Sequence, residues 1–415
     1  MVATPKRVLL VARLAPPSPL VAARRTEGLT KYLARAGFDV TVLTSSISGE
    51  GQIEGAARVV RTPDLMASGL NWRRGHFKAL TGEGSSSYGK PSRLEAVLVP
   101  DVAAATWLPF AAGRLPKVLR GTSYDCMITS SPPPSAHLIG LAAHRRGLPW
   151  IAEFRDGWRY ERLRDWPFSL QRRFDRALER KVVLGADAIV GVTQPIANDL
   201  QERYGVPAVV ITNGFDPEER PEGDADGLLD PDRHSLVYTG RLAYGGLTPT
   251  PLFEAIRRVR ISDPTGAARL EVVFAGPLGA EEKQQLEAAD LQEIVRTVGS
   301  LDRADALRLQ QQADSLLVIA NGKRERSVAT GKLFEYLGAR KPVVVLGDQS
   351  AAARIVEDAR AGVTTSGSDP EAIARTLQRL VDGDLPTVSD QAASQYSYAS
   401  IAERYAELIE RVCGS

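Results

Sequence analysis

The chain has 415 residues, of which 43% are hydrophobic and 25% are charged, and it carries a formal net charge of +2. These values are typical of a globular protein with two or three domains, and the small net charge gives no indication of binding to nucleic acid. The two cysteines, Cys126 and Cys413, form neither a disulfide framework nor a metal motif, and the four histidines lack zinc spacing. We therefore expect a reducing compartment.

No apolar run in the sequence reaches the length of a membrane span, and the first run, at residues 8–12, is too short for the core of a signal peptide. The sequence predicts a cytoplasmic protein that could touch the inner face of a membrane without crossing it. Its abundance of Ala and Arg fits a bacterial source with GC-rich DNA.

The chain opens with a predicted strand at residues 7–12, a helix at 23–36 and a second strand at 39–44. This order is typical of the start of a doubly wound α/β domain. The loop after the first strand lacks G-x-G-x-x-G, which argues against an ordinary dinucleotide site there.

Residues 48–100 are less regular, and we interpret them as a mobile loop. Such a loop either contacts an acceptor or a membrane surface, or is a solvated insertion.

Regular strands and helices resume after residue 125. We predict strands at 126–131, 150–154, 188–193 and 209–213, separated by helices at 135–146, 169–185 and 195–204. The polar run at residues 155–158, which includes Asp156, follows a strand end, where open α/β sheets bind ligands. His137, near the start of its helix, could face the same ligand or be a partly buried structural histidine.

The helix predicted at residues 169–185 is strongly basic. Its cations are Arg172, Arg173, Arg176, Arg180 and Lys181, and an apolar face is predicted at Leu170, Phe174, Leu178 and Val182. Such a helix is either a solvated surface element or a contact with a membrane surface.

A proline-rich, acidic segment at residues 215–233 is typical of a linker, and we place a domain boundary there. The second half repeats the α/β rhythm, with strands predicted at 235–239, 270–275, 294–298, 315–320, 342–346 and 362–365. We therefore predict two doubly wound domains, residues 1–215 and 216–395. The last helix, at 400–412, belongs to a C-terminal segment, 396–415, that we expect to pack back on the first domain.

The segment between the fourth and fifth of these later strands begins with polar residues and becomes helical near Gly331. A helix N-terminus presents free backbone N–H groups and the positive end of the helix dipole, which together bind phosphate. Ser327 and Thr330 are candidate caps, and Lys332 adds positive charge. Glu335 lies one turn inside the helix, where its carboxylate could accept hydrogen bonds from a ribose. A surface helix with one solvated glutamate would give the same pattern.

Other strand ends of the second half also carry glycine and polar residues, at Gly240-Arg241, Gly276-Pro277 and Gly299-Ser300. The guanidinium of Arg241 could bind a phosphate through its planar fork, or be a structural surface group.

Four motifs stand out in order along the chain. They are Ser-Ser-Pro-Pro-Pro-Ser-Ala-His at 130–137, Glu-Phe-Arg-Asp-Gly-Trp at 153–158, Thr-Asn-Gly-Phe-Asp at 212–216 and Thr-Gly-Lys-Leu-Phe-Glu-Tyr-Leu-Gly-Ala-Arg-Lys-Pro at 330–342. With these motifs, nearly the whole chain resembles glycosyltransferase family 4. The resemblance implies the GT-B architecture, in which two Rossmann-like doubly wound domains face a cleft. It also implies a retaining, metal-independent transferase of the hexosyltransferase type, which moves a sugar from a nucleotide-diphosphate donor to an acceptor hydroxyl. We therefore expect no bound metal and no cofactor besides the donor substrate.

The resemblance further implies that the second domain binds the nucleotide sugar and the first domain binds the acceptor. Glu335 matches the ribose-binding carboxylate of the family, and Arg241 matches its diphosphate-binding arginine. The other implied donor-binding residues are Gly240, Gly299, Ser300, Leu301, Ser327, Ala329, Thr330, Gly331 and Lys332. The acceptor candidates are Arg25, His137 and Asp156, and the candidate catalytic residues are Arg241, Lys332, Glu335, Asp156 and His137. The acceptor could be a glycan, a lipid-linked precursor or a small molecule, and the oligomeric state stays open.

The sequence departs from the family pattern at two positions. Many relatives carry two glutamates separated by seven residues, and the first of them falls at Ser327 here. Relatives also commonly carry a lysine shortly after the Gly-Arg pair, whereas Arg241 is followed here by Leu-Ala-Tyr-Gly-Gly. We hypothesise that Lys332, Lys323 or Arg324 supplies the missing positive charge.

Two other functions stay open at this point. The first is a nucleotide-sugar epimerase on the same fold, although no acid/base pair is recognisable near Glu335. The second is a nucleotide-sugar-binding partner protein that has lost turnover.

Overall fold

The computed structural model describes residues 5–18, 20–66, 97–160, 166–224, 227–242, 247–321, 326–327 and 329–414. The chain forms two compact units. Unit 1 comprises Met1–Asn213 together with Tyr398–Ser415, and unit 2 comprises Gly214–Ser397. Lys323, Arg324 and most of the irregular segment predicted at 48–100 lie outside the described residues.

Unit 1 is built on a parallel sheet. Its strands are β1 (Arg7–Ala12), β2 (Asp39–Ser45), β3 (Ala56–Thr62), β4 (Cys126–Ser131), β5 (Trp150–Phe154), β6 (Ala188–Gly191) and β7 (Ala208–Val210), in the order β3-β2-β1-β4-β5-β6-β7. Its helices before residue 213 are α1 (Val21–Arg35), α2 (Ala103–Thr106), α3 (Leu108–Gly121), α4 (Ala136–His144), α5 (Ser169–Val183) and α6 (Gln194–Tyr204).

The central strands of this sheet are mostly apolar because helices cover both faces. On β1, Leu9 and Val11 belong to the core that includes α3 and α4 residues, whereas Val8 and Leu10 belong to the core on the α1 side. The strand order reverses beside β1, because the chain runs out to β2 and β3 and then returns to β4. Such a reversal leaves a crevice between the loops that follow β1 and β4.

Unit 2 repeats this plan. Its strands are β8 (His234–Thr239), β9 (Leu270–Ala275), β10 (Val295–Thr297), β11 (Ser315–Ile319), β12 (Val343–Leu346) and β13 (Gly362–Thr365), in the order β10-β9-β8-β11-β12-β13. Its helices are α7 (Thr250–Ser262), α8 (Pro264–Ala268), α9 (Ala280–Ala289), α10 (Arg303–Gln312), α11 (Gly331–Ala339), α12 (Ala351–Asp358), α13 (Pro370–Val381) and α14 (Asp390–Ser394). The strand order reverses between β8 and β11, so a second crevice is expected there.

The last helix, α15 (Tyr398–Gly414), follows unit 2 in the chain but packs in unit 1, against α1. Its buried residues Ile401, Tyr405 and Ile409 join the same core as Val8 of β1. Gly28 of α1 permits the close approach, because a Cβ there would lie 2.3 Å from the ring of Tyr398. The helix is therefore an integral part of the core of unit 1.

A buried charge cluster joins this helix to the sheet. The carboxylate of Glu153, at the end of β5, is fully buried and accepts hydrogen bonds from Arg25 Nη2 (2.6 Å), Ser130 Oγ (2.5 Å) and Tyr405 Oη (2.5 Å). Burial alone would raise the pKa of Glu153, but the guanidinium groups of Arg25 and Arg155 outweigh it and hold this pKa at about 2. The carboxylate thus stays charged at neutral pH, and the three hydrogen-bond donors compensate for its burial.

The α/β fold class predicted from the sequence is confirmed, and β1, β4, β5, β9 and β13 occupy the predicted residues. Strand β3 and helices α2 and α3, all in the first third of the chain, were not predicted. Strand β3 is an edge strand with exposed residues, so it lacks the apolar signature of a buried strand. Helix α3 contains Pro116 and Gly113, which in a sequence usually mark turns.

The four apolar residues predicted along one face of α5 differ in exposure. Leu170 and Phe174 are exposed, whereas Val182 is buried. The buried side of the helix also holds two acidic residues, Asp175 and Glu179. Within the described part of the chain, no helix combines the length and the apolar composition needed to cross a bilayer.

The contact between α15 and Glu153 generates a first prediction. Tyr405→Phe removes a hydrogen bond to a buried carboxylate and should lower the free energy of unfolding by about 1.5–3 kcal/mol. Urea denaturation measures this loss. Glu407→Ala, at an exposed position of the same helix, is the matched control and should change stability by less than about 0.5 kcal/mol. Equal stabilities of the two variants would contradict the assigned role of the tyrosine hydroxyl.

Candidate functional site

The N-terminus of helix α11 lies next to the point where the strand order of unit 2 reverses. Thr330 precedes the first helical residue, Gly331, in an extended conformation (φ −66°, ψ 149°), and its side chain makes no capping hydrogen bond. The Thr330 hydroxyl oxygen is nevertheless buried and has no hydrogen-bond partner among the described residues. Buried hydroxyls are normally paired, so this group and the uncapped first amides are suited to bind an anion.

Lys332, in the first turn of α11, brings a positive charge to the same place. Its Nζ lies 3.6 Å from the ring centroid of Tyr238 and forms no hydrogen bond or ion pair with any described residue. Gly240 leaves room for this amine, because a Cβ at that position (φ 101°) would lie 3.2 Å from Nζ. Burial lowers the pKa of Lys332 to about 7, against the opposing effect of the Glu335 carboxylate.

Glu335 lies one turn further along α11 and is held by neighbouring side chains. Arg303 Nη1 donates to its Oε1 at 2.5 Å, and Gln310 Nε2 donates to its Oε2 at 3.4 Å. Arg303 also forms a two-pronged ion pair with Glu219, at 2.7 and 2.8 Å. The carboxylate is thus fixed in orientation while 17% of its side chain stays exposed. It can still accept hydrogen bonds, because a carboxylate has about four lone-pair positions.

The remaining donor candidates lie on or near this edge of unit 2. Gly240 and Arg241 directly follow β8, and Arg241 is half-buried, with its carbonyl accepting from Tyr238 Oη at 2.9 Å. Gly299, Ser300 and Leu301 form the connection between β10 and α10. Ser327 and Ala329 are buried before the start of α11.

In unit 1, a cavity of about 280 Å³ occupies the crevice where the strand order reverses. It is lined by residues that follow β1, β4 and β5, together with residues near α2 and on α5. Its polar lining includes Arg13, Asp101, Ser131, Asp156, Arg159 and Arg172, and Trp158 and Trp166 form part of its wall. A pocket with apolar walls and a few polar groups is the usual form of a small-molecule site.

Several of these polar groups are already oriented by the fold. Asp101 accepts hydrogen bonds from the backbone and hydroxyl of Ser135, each at 2.8 Å, and burial raises its pKa. Arg13 Nε donates to Asp64 at 2.9 Å, whereas its Nη2 is buried and has no partner in the described part of the chain. Asp156 is half-buried and lines the cavity.

The structure brings only one of the three acceptor candidates, Asp156, to this cavity. Arg25 is 2% exposed, and besides Glu153 its Nη1 donates to the carbonyl of Thr212 at 2.5 Å. His137 is fully buried, with its Nδ1 2.8 Å from Thr129 Oγ1. Burial lowers the pKa of His137 to about 3, so its ring is neutral at physiological pH. Arg25 and His137 are thus buried in unit 1 and do not line the cavity.

The sequence did not identify several residues that shape the site at the start of α11 and the cavity of unit 1. Tyr238 and Arg303 contact Lys332 and Glu335 from other elements of unit 2, and no local pattern signals such pairs. Arg13 directly follows a strand end, so the same rule that found Asp156 could have found it. No cluster of three His, Cys, Asp or Glu side chains suited to a metal ion occurs within the described residues.

Both halves of the chain match protein-family profiles of glycosyltransferases. Residues 22–219 match the profile of Glycosyltransferase Family 4, and residues 233–383 match that of Glycosyl transferases group 1. The chain has no match among curated protein sequences.

Solved structures are similar over the full length at low sequence identity. Sucrose-phosphate synthase from Thermosynechococcus elongatus has a TM-score of 0.65 and 15% identity, with 98% of this chain and 99% of that chain covered. AviGT4, a glycosyltransferase involved in avilamycin A biosynthesis, has a TM-score of 0.58 and 16% identity, with 99% of each chain covered. WaaG, a glycosyltransferase involved in lipopolysaccharide biosynthesis, has a TM-score of 0.57 and 15% identity, with 98% of each chain covered. Since the two profiles span most of both units and the architecture agrees, the chain belongs to the glycosyltransferases of the family 4 type and has the GT-B fold.

Proposed function

We propose that this glycosyltransferase takes its sugar from a nucleotide-diphosphate donor and transfers it to an acceptor hydroxyl with retention of anomeric configuration. The observation that carries the proposal is the Lys332 ammonium, which forms no ion pair with a described residue and lies at an uncapped helix N-terminus. A partly buried cation without an ion-pair partner is costly unless a ligand supplies the opposite charge. A diphosphate meets this requirement.

The diphosphate would be bound by the first amides of α11, the Thr330 hydroxyl and the Lys332 ammonium, with Arg241 as a further cation. Breaking the bond between the anomeric carbon and the diphosphate places negative charge on the leaving group. Donors already fixed by the fold stabilise this charge without reorganisation, and one such donor can lower a barrier by about 3 kcal/mol. In this proposal these groups do the work that a metal ion does in other transferases.

Glu335 would bind the ribose hydroxyls of the donor. Its ion pair with Arg303 and its contact with Gln310 orient the carboxylate, and this orientation supports hydrogen bonds to two adjacent hydroxyls. The base would then lie toward the loop of Gly299, Ser300 and Leu301. With its carboxylate engaged by the nucleotide, Glu335 would not attack the anomeric carbon.

Retention would follow from attack by the acceptor hydroxyl on the face from which the diphosphate leaves. The new bond forms between the acceptor oxygen and the anomeric carbon as the bond to the diphosphate oxygen breaks. The hydroxyl proton passes to the departing phosphate oxygen, so no protein nucleophile is required. The acceptor would bind in the cavity of unit 1, with Asp156 as a hydrogen-bond acceptor for one of its hydroxyls.

Product analysis distinguishes this function from the two that the sequence left open. We expect release of the nucleoside diphosphate and sugar transfer or slow hydrolysis, with undiminished rate in the presence of a metal chelator. Phosphorus NMR follows the release of the nucleoside diphosphate, with and without the chelator. An intact nucleotide sugar with an inverted ring carbon would identify an epimerase, and an unchanged donor would identify a binding protein without turnover.

The donor site can be tested by binding alone. Glu335→Gln removes the charge that accepts the ribose hydrogen bonds, so nucleotide-sugar affinity should fall at least about tenfold. Isothermal calorimetry with a panel of nucleoside diphosphate sugars measures the affinity and identifies the base. Glu287→Gln, an exposed carboxylate on α9, is the control and should bind as the wild type does. If no sugar nucleotide binds, or if both variants bind equally, the assignment of Glu335 is wrong.

The pKa of Lys332 gives donor binding a defined pH dependence. The diphosphate of a nucleotide sugar keeps its charge near neutral pH, so the lysine is the group that titrates. Donor affinity should be constant below pH 7 and fall by up to about tenfold per pH unit above it, because the neutral amine must take up a proton. Calorimetry in buffers of different ionisation enthalpy measures this uptake.

Two variants complete that test. Lys332→Arg keeps its charge throughout this range, so it should bind with an affinity that no longer falls above pH 7. Lys332→Met should bind weakly at every pH. A wild-type affinity that is flat across neutral pH would show that Lys332 does not contact the diphosphate.

A further inference from the structure

Helix α5 of unit 1 exposes large apolar side chains. Phe168, just before the helix, is 65% exposed, Leu170 is 75%, Phe174 is 54% and Leu184, just after the helix, is 45% exposed. We call Phe168, Leu170, Phe174 and Leu184 the α5 patch. The exposed positions along α5 and its C-terminal end recur every three or four residues and form one outward stripe. They are Leu170, Phe174, Ala177, Lys181 and Leu184.

The acidic residues of this helix face inward. Asp175 is 4% exposed and accepts from Trp158 Nε1 at 2.9 Å. Glu179 is fully buried and accepts from Arg203 Nη1 and Tyr204 Oη, each at 2.6 Å. An ordinary surface helix buries its apolar stripe and exposes its charges. Here the carboxylates are bound inside the unit, and the outward face retains the apolar side chains.

The charges left on the outward side of α5 are all positive. They are Arg173, Arg176, Arg180 and Lys181, all of them exposed, whereas Arg172 lies toward the cavity. No acidic side chain of the helix balances them, because both of its carboxylates are buried. The α5 patch is therefore an apolar stripe with a row of cations along one edge.

This combination identifies the kind of partner. The centre of a protein–protein interface is depleted of charge, whereas Lys181 interrupts this stripe and Arg173 and Arg180 flank it. In a lipid interface, apolar side chains enter the acyl boundary while arginine and lysine reach the phosphates. We propose that the α5 patch docks unit 1 on an anionic lipid bilayer, with α5 lying in the plane of the headgroups. The proposal does not depend on the donor site.

The same helix connects this surface to the cavity of unit 1. Arg172 and Asp175 of α5 line the cavity, and Arg172 Nη1 donates to the carbonyl of Trp166, another lining residue, at 2.7 Å. A bilayer against α5 would therefore lie beside the cavity to which the proposed function assigns the acceptor. An acceptor anchored in the lipid could enter it without leaving the membrane.

The test is flotation of the full chain with vesicles of phosphatidylcholine alone and of phosphatidylcholine mixed with phosphatidylglycerol. We expect binding to the mixed vesicles to be at least about tenfold tighter than to phosphatidylcholine, and to weaken with added salt. Leu170→Ser combined with Phe174→Ser should weaken binding to the mixed vesicles at least about tenfold, because two inserted side chains are lost. Arg173→Glu combined with Arg180→Glu should abolish the preference for the anionic lipid.

The control is Ile261→Ser, which removes a large apolar side chain that is 77% exposed on α7 of unit 2 and should leave vesicle binding unchanged. All of these positions are exposed, so thermal unfolding should not change, and calorimetric donor binding without vesicles reports separately on the donor site. Absence of binding to the mixed vesicles, or equal binding by wild type and the Leu170/Phe174 variant, would overturn the proposal. Self-association that the same variant abolishes would identify a second copy of the chain as the occupant and would also overturn it.

Discussion

Both functional regions of this protein depend on one constraint, which is the single direction of the strands in each sheet. Parallel strands all end at the same edge, and a crevice forms there when the strand order reverses. In unit 1 the reversal beside β1 produces the cavity that Arg13 and Asp156 line. In unit 2 the reversal between β8 and β11 brings the turn at Gly240 next to Lys332 of α11. The central strands can remain mostly apolar because the residues assigned to binding lie just beyond the strand ends.

Two charged side chains, Glu153 of unit 1 and Lys332 of unit 2, differ in how their charge is compensated. Glu153 has three donors within 2.6 Å, and its pKa of about 2 keeps it ionised, so the cluster holds the elements around it together. Lys332 lies against an aromatic ring and forms no ion pair with a described residue, and burial lowers its pKa to about 7. A satisfied buried charge serves the structure, whereas a charge left without its partner marks a place where a ligand completes the set.

The sequence predicted most of the fold because buried parallel strands are short apolar runs, as in β4 and β9. It missed β3, which is exposed at an edge, and α3, whose Pro116 and Gly113 imitate a turn. It located Lys332 and Glu335, because a strand followed by a polar helix start is a local pattern. It could not find Tyr238 or Arg303, since these reach the site from distant parts of the chain. It also could not show that Asp175 and Glu179 of α5 face inward, because their hydrogen-bond partners lie elsewhere in the chain.

The position of α15 has a consequence for synthesis on the ribosome. Residues Gly214–Ser397 form a continuous unit that can close as soon as it has been made, whereas unit 1 needs the helix that follows it. Until that helix emerges, the nascent first unit lacks Ile401, Tyr405 and Ile409 from its core and the hydroxyl of Tyr405 from Glu153. The unit that is translated first is thus completed last, and its unfinished apolar surface, next to α1, stays open to chaperones throughout the translation of the other unit.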